Sequence, residues 1–303
     1  MAPNSFRLLF AGLAVVALLP GCDIKVDDGN VSLGVSHGRA SDEWVRSYTL
    51  PKGGSFEIAN QNGEIVVKRG ESSEVKVTAH REVSAGSDEE AQTRLKNLKM
   101  REEVTPDRVF IEAQSGGSFQ RVGFVEGLAV RYEVEVPDGL TATFKTMNGT
   151  VRLDGVNGRI TAGTTNGNVT GNGITGAVQG SSVNGSVSVN FDEVSGEVQL
   201  TTVNGAVRVE LPPSADVELH ATTVNGSVSV DDKLALADRL DNRSGFGRPT
   251  NVSGRLNKGG ARLTLQTTNG PVRVSAQGSP GQDDDERDER GRRGRRGRPP
   301  GQF

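Results

Sequence analysis

Of the eight Asn-Gly pairs from residue 148 onward, six recur at a regular spacing, Asn148-Gly149, Asn166-Gly167, Asn184-Gly185, Asn204-Gly205, Asn225-Gly226 and Asn269-Gly270, with Asn157-Gly158 and Asn172-Gly173 as half-period marks between them. The first five of the six are 18, 18, 20 and 21 residues apart, and the last follows after 44, about two periods. Self-similarity at a fixed spacing near twenty residues is the mark of a repeat architecture, in which each unit buries its apolar face only against its neighbours. After each pair comes a short alternation of β-branched residues, as in Val187, Val189 and Phe191 or Val207, Val209 and Leu211. Period-two alternation of this kind predicts strands with one face buried.

Two topologies place an Asn-Gly between alternating strands. One is a meander of β-hairpins, for which Asn-Gly is a strong turn signal. The other is a parallel β-solenoid (a β-helix or β-roll) of roughly 20-residue coils, with the pair marking one corner of every coil. Glycines at 155, 158, 163, 167, 171, 173 and 176 leave strands of about three or four residues, short for a free-standing meander. Stacked coils pair every strand above and below, so short strands suffice; the expectation is an all-β parallel solenoid. In that setting the Asn-Gly pairs are structural turn residues, with asparagine and glycine both suited to left-handed geometry. Stacked asparagines can also bond from coil to coil, and a ligand-facing role for the corner is the competing reading.

The regular repeats are expected over residues 141–276. Residues 46–140 read as a less periodic β region, with the grammar already present in Asn60 to Val67, and as an insertion a helix near 88–99 introduced by Ser87 and Glu90. Residues 231–262 interrupt the rhythm and read as an irregular final coil or two.

The ends differ from this body. Residues 1–21 carry one positive charge, Arg7, and an apolar run from Leu8 to Leu19, the layout of an export signal too short for an ordinary membrane span. Leu19-Pro20-Gly21-Cys22 resembles the bacterial lipobox, which implies cleavage before Cys22 and lipidation (palmitate among the chains) of the only cysteine in the sequence. By resemblance to enterobacterial lipoproteins, Asp23 hints at the inner membrane. The expected location is therefore the bacterial cell envelope, anchored on its periplasmic or outer side, with residues 22–45 as a linker. Residues 277–303 hold an acidic run, Asp283 to Glu289, then arginine and glycine from Arg290 to Arg298, a composition expected to be disordered. That tail reads either as an arm for an anionic surface or as a self-neutralising solvated segment; export argues against nucleic acid.

Aromatic residues are only 4% of the chain, so the core must be built from valine, leucine and isoleucine. The net charge of −3 implies no particular partner.

The stretch from Tyr132 to Val169 carries a strand ending in Val136-Pro137-Asp138-Gly139 followed by Thr-x-Asn-Gly-x-Val coils, and Ser253 to Val274 closes in the same style. These motifs resemble a bacterial domain-of-unknown-function family of β-strand-repeat proteins labelled as candidate adhesins, over roughly residues 50–276. The resemblance implies the repeat fold and brings no catalytic residues.

Chemistry is sparse. Asp192 with Glu193 and Asp231 with Asp232 are the paired carboxylates a polysaccharide-active β-helix would need, but neighbours on a strand point to opposite faces. His37, His80 and His220 lack ligand-like spacing. No metal, cofactor or nucleophile motif is expected. What remains is a non-catalytic, membrane-tethered binding or adhesion module for envelope polysaccharide or protein. A structural or stress-linked envelope protein is the alternative, and a polysaccharide-active enzyme the minor one.

Overall fold

The computed structural model describes residues 22–27, 30–35, 38–115, 127–243 and 249–278. In chain order the strands are β1 (Cys22–Asp27), β2 (Asn30–Val35), β3 (Gly38–Thr49), β4 (Ser55–Asn62), β5 (Ile65–Arg69) and β6 (Glu74–Ala85). Helix α1 (Asp88–Asn97) follows, then β7 (Leu98–Val104), β8 (Arg108–Ser115), β9 (Leu128–Val136), β10 (Leu140–Asn148), β11 (Val151–Asp154), β12 (Asn157–Asn166) and β13 (Val169–Asn184). The last are β14 (Val187–Glu193), β15 (Val198–Asn204), β16 (Val207–Leu211), β17 (Val217–Asn225), β18 (Val228–Val230), β19 (Leu236–Arg243), β20 (Pro249–Leu256), β21 (Ala261–Asn269) and β22 (Val272–Ala276). The fold is all-β with one helix among the described residues, as the alternation predicts.

The strands form two facing layers. The first layer runs, in spatial order, β8, β4, β10, β12, the second part of β13, β15, β21 and β17, every neighbour parallel. The second runs β9, β5, β11, the first part of β13, β14, β16, β22 and β18, again parallel. An Asn-Gly corner joins the two layers within most rungs. Alternate residues of both layers point inward and form one aliphatic core, with Val151, Val169, Val187, Val207, Val272 and Val228 in a single registered column. Its largest members, Phe191 apart, sit near the β3 end, where Phe56 lies 6.1 Å from Phe144 and 6.4 Å from Tyr48.

Two expectations need correction. First, rungs do not pile up in chain order. The final pair, β21–β22, lies between β15–β16 and β17–β18, so Asn269 stacks on Asn204 and Asn225 stacks on Asn269. Residues 231–262 are accordingly not a final coil: β20 and β19 lie antiparallel beyond β17 and end the first layer. The opposite end has the same device, since β8–β9 stands outside β4–β5 while the chain passes on to β10–β11. Both rung-skipping connections contain proline, Val136-Pro137-Asp138-Gly139-Leu140 and Leu211-Pro212-Pro213-Ser214-Ala215-Asp216. Extended proline segments advance about 3 Å per residue, enough to pass one rung at about 4.8 Å spacing.

Second, residues 22–45 are not a plain linker. They hold the antiparallel β1–β2 hairpin and the first part of β3, which pairs with β6 along its whole length. Helix α1 is the expected insertion. It packs against β3 and β6, with Ala91 and Leu95 buried, and Ser87 Oγ accepts from the Glu90 amide as the capping signal predicts. Residues 1–21 and the Arg290 to Arg298 run lie outside the described residues.

Candidate binding face

The recurrent corner comes first, because it positions everything around it. The asparagines form one continuous ladder. Asn225 Nδ2 donates to Asn269 Oδ1 at 2.8 Å, Asn269 to Asn204 at 2.8 Å, Asn204 to Asn184 at 2.9 Å, Asn184 to Asn166 at 3.0 Å and Asn166 to Asn148 at 2.8 Å. Asn148 then donates to Asn62 at 2.7 Å, whose own Nδ2 reaches the Leu128 carbonyl at 3.1 Å. Two residues before each of these asparagines except Asn62, a buried hydroxyl points inward and donates to the glycine carbonyl of the adjacent rung. Thr202 Oγ1 to Gly185 O, at 2.7 Å, is one such bond, and Thr146, Thr164, Ser182, Thr223 and Thr267 repeat it. The buried hydroxyls of the corner thus each find a partner one rung away, as buried polar groups must.

The asparagines are not left-handed, contrary to expectation: Asp238 and Asn257 are the positive-φ residues other than glycine among those described. The glycine carries the constraint. Gly185 has φ +156°, and a Cβ there would stand 1.8 Å from the Gly167 carbonyl oxygen. Glycine is required because two backbones meet at the corner, and asparagine because its carboxamide donates and accepts along the stack.

Thr202→Val keeps the shape and removes the hydroxyl, leaving the buried bond to Gly185 O unmade. It is expected to cost about 1–2 kcal/mol, read as a shift in the urea midpoint at constant slope.

The outward positions of the first layer form the candidate face. One column is Thr143, Thr161, Gln179, Gln199, Thr264 and His220. Beside it runs Lys145, Gly163, Ser181, Thr201, Gln266 and Thr222. A third, next to the asparagine ladder, is Met147, Thr165, Val183, Val203, Thr268 and Val224. Between Lys145 and His220, these three columns therefore present hydroxyls, carboxamides and methyls on four consecutive rungs, while Arg159, Glu197 and Arg262 lie exposed in the next outward column, on the side away from the asparagine ladder. Val183 and Val203 are 41% and 42% exposed, unusual for valine in a packed fold. The second layer is different. Its outward columns include Arg152, Arg208, Arg273, Lys68, Asp154 and Glu210. Parallel pairing in register repeats each donor and acceptor at about 4.8 Å.

The acidic pairs take no part in it. Asp192, Glu193 and Asp232 are exposed and Asp231 half-exposed at the second layer's rim, and His80 and His220 are exposed. Among the described residues no group of three or more His, Cys, Asp or Glu side chains could hold a metal ion. His37 falls outside the described residues. Among the described residues, perturbed ionisation is confined to the β3 end. There burial, then a 2.6 Å hydrogen bond to Glu102, raises the Tyr48 hydroxyl far above its ordinary value. The Tyr132 hydroxyl is raised chiefly by burial and lacks a hydrogen-bond partner. Both are core groups away from the neutral face. The sequence signal for that face lies in the outward positions of the alternation, whereas the inward positions carry the fold.

A parallel two-layer stack with an asparagine ladder, a hydroxyl ladder beneath it and glycine at each corner defines a β-repeat class of protein. The chain belongs to the Toastrack DUF4097 family, a domain-of-unknown-function family whose model matches residues 47–275. Among solved structures it is similar to a candidate cell adhesion protein from Clostridium sporogenes, at 12% identity and TM-score 0.45, covering 78% of this chain and 100% of that one. It is also similar to a candidate adhesin from Bacteroides fragilis, at 10% identity and TM-score 0.30, covering 78% and 97%. A third, from Parabacteroides merdae, shares 10% identity with TM-score 0.26 over 77% and 95%. No curated protein matches the chain.

Proposed function

We propose that this protein is a non-catalytic binding module of the bacterial cell envelope, a parallel β-solenoid tethered to the membrane by lipid on Cys22. Its ligand is an extended, uncharged polysaccharide lying along the first layer. The observation that carries this reading is the uncharged strip from Thr161, Gln179, Gln199 and Thr264 to the asparagine ladder, three outward columns wide and bordered on its other side by Arg159 and Arg262. Hydroxyls and carboxamides both donate and accept, so such a ladder matches sugar hydroxyls without selecting for charge. The methyls of Val183 and Val203 add apolar contact at the patch edge. Each rung contributes little alone; repetition along a periodic ligand multiplies weak contacts into useful retention. No helix among the described residues is long and apolar enough to cross a membrane, so in this reading the lipid supplies the attachment.

The test uses the Cys22→Ser chain on immobilised envelope polysaccharides of the host. Retention is expected, and is expected to fall in a Ser181→Glu, Gln199→Lys double variant while an Arg152→Glu variant on the opposite layer binds normally. Retention that ignores the double variant, or no retention on any neutral polysaccharide, rejects the proposed face. The same Cys22→Ser chain is expected to leave the membrane fraction, because several acyl chains at about 0.8 kcal/mol per buried methylene are then lost. Unchanged fractionation rejects the tether.

A further inference from the structure

We infer that Asn225-Gly226 is a site of spontaneous covalent modification, at which the Asn225 carboxamide is lost as ammonia and replaced by aspartate and isoaspartate. In an Asn-Gly pair the glycine nitrogen can reach the preceding side chain because no Cβ obstructs it. The Gly226 nitrogen attacks Asn225 Cγ: the N–Cγ bond forms, the Cγ–Nδ2 bond breaks, and the Gly226 amide proton departs with the ammonia. Water then adds to either carbonyl of the resulting cyclic imide, giving aspartate or isoaspartate. No other reactant is needed.

The stack blocks this step at every other corner of the ladder. The Gly63, Gly149, Gly167, Gly185, Gly205 and Gly270 amides donate to the asparagine carbonyl of the adjacent rung at 2.8–3.0 Å. Their asparagine side chains are held from both sides, each donating and accepting. Attack there requires the corner to open first. Asn225 is the terminal member. It donates to Asn269, and no asparagine stacks beyond it among the described residues. Strand β20 covers β17 only as far as Thr222 opposite Asn251, three residues short of the corner. Asn225 and Gly226 are both exposed, whereas Gly149, Gly167, Gly185, Gly205 and Gly270 are half-buried. Val224 beside them is 65% exposed. The pair at Asn172-Gly173 lies inside β13 with its carboxamide donated to Asp154 at 3.2 Å, and Asn157-Gly158 lies inside β12, where Gly158 pairs on both sides.

The change would reach the fold. Aspartate at 225 removes the donor to Asn269 and sets oxygen against oxygen, and isoaspartate adds a backbone atom that the β17–β21 register cannot absorb.

The test is peptide mapping of the full chain during incubation at mildly alkaline pH, with the acid fraction followed at each Asn-Gly pair and a parallel sample unfolded in guanidinium. In the native sample the Asn225 peptide is expected to lead the Asn184 and Asn204 peptides by about tenfold or more, the factor given by an opening cost of about 1.4 kcal/mol. In the unfolded sample that lead is expected to vanish. A native lead by any other Asn-Gly pair overturns the inference. So does an Asn225 lead of the same size in guanidinium, which would make it a property of local sequence.

Discussion

Removing residues 261–303 is expected to release the segment 217–256 from the stack. Strands β15 and β17 never touch as ladder partners: β21 fills the slot between them in the first layer, and β22 does the same between β16 and β18. The deletion strips the inward side chains of Leu263, Leu265, Val272 and Val274, all at most 2% exposed. At about 1.5–3 kcal/mol per buried aliphatic side chain this is on the order of 10 kcal/mol, an upper estimate yet comparable to the whole net stability of a domain. It also removes both bonds joining the asparagine ladder's last three members, Asn269 to Asn204 and Asn225 to Asn269. Hydrogen exchange is the measurement. Amides of β17 and β20 should exchange as if unfolded while β10 to β14 keep their protection. A truncated chain in which β17 stays protected would mean that it can dock directly on β15, as rungs stacked in chain order would.

Gly185→Ala should be among the most damaging single substitutions in the body of the protein. Two costs combine: strain of a side chain at φ +156°, about 1–3 kcal/mol, and a Cβ 1.8 Å from Gly167 O that forces the two rungs apart, about 1–3 kcal/mol more. Gly53→Ala separates the two. Gly53 also has positive φ, +83°, but a Cβ there meets nothing within 4 Å, so only the conformational cost, about 1 kcal/mol, is expected. Urea unfolding of both variants reads the difference. Equal losses would show that close backbone approach at the corner is energetically unimportant. Gly205, at φ +159° and with its own 2.1 Å approach to Gly185 O, should behave as Gly185 does.

Much of this was legible in the chain. Strand identity and inward residues follow from alternation, which is a local property: Val187, Val189 and Phe191 are buried because every second residue of a strand faces the same way. The asparagine ladder was also foreseeable, since identical residues at one position of a stacked repeat meet their copies. The corner's backbone was misread because an Asn-Gly pair signals positive φ at both residues in an isolated turn, whereas here a neighbouring rung lies against it and only glycine carries the unusual angle. The neutral face was overlooked because outward positions contribute nothing to the pattern that identifies strands.

From its residues alone, the protein is determined to be a stack of short aliphatic strands turning at Asn-Gly, with threonine hydroxyls beneath the corner. Only the tertiary structure decides which rung lies on which. From β10 to β22 each Asn-Gly corner offers the same hydroxyl, asparagine and glycine to its neighbour, so the corner chemistry carries no address. Placement instead depends on connections long and extended enough to skip a rung, at Pro137 and at Pro212-Pro213, and on the distant segment that returns to fill the gap.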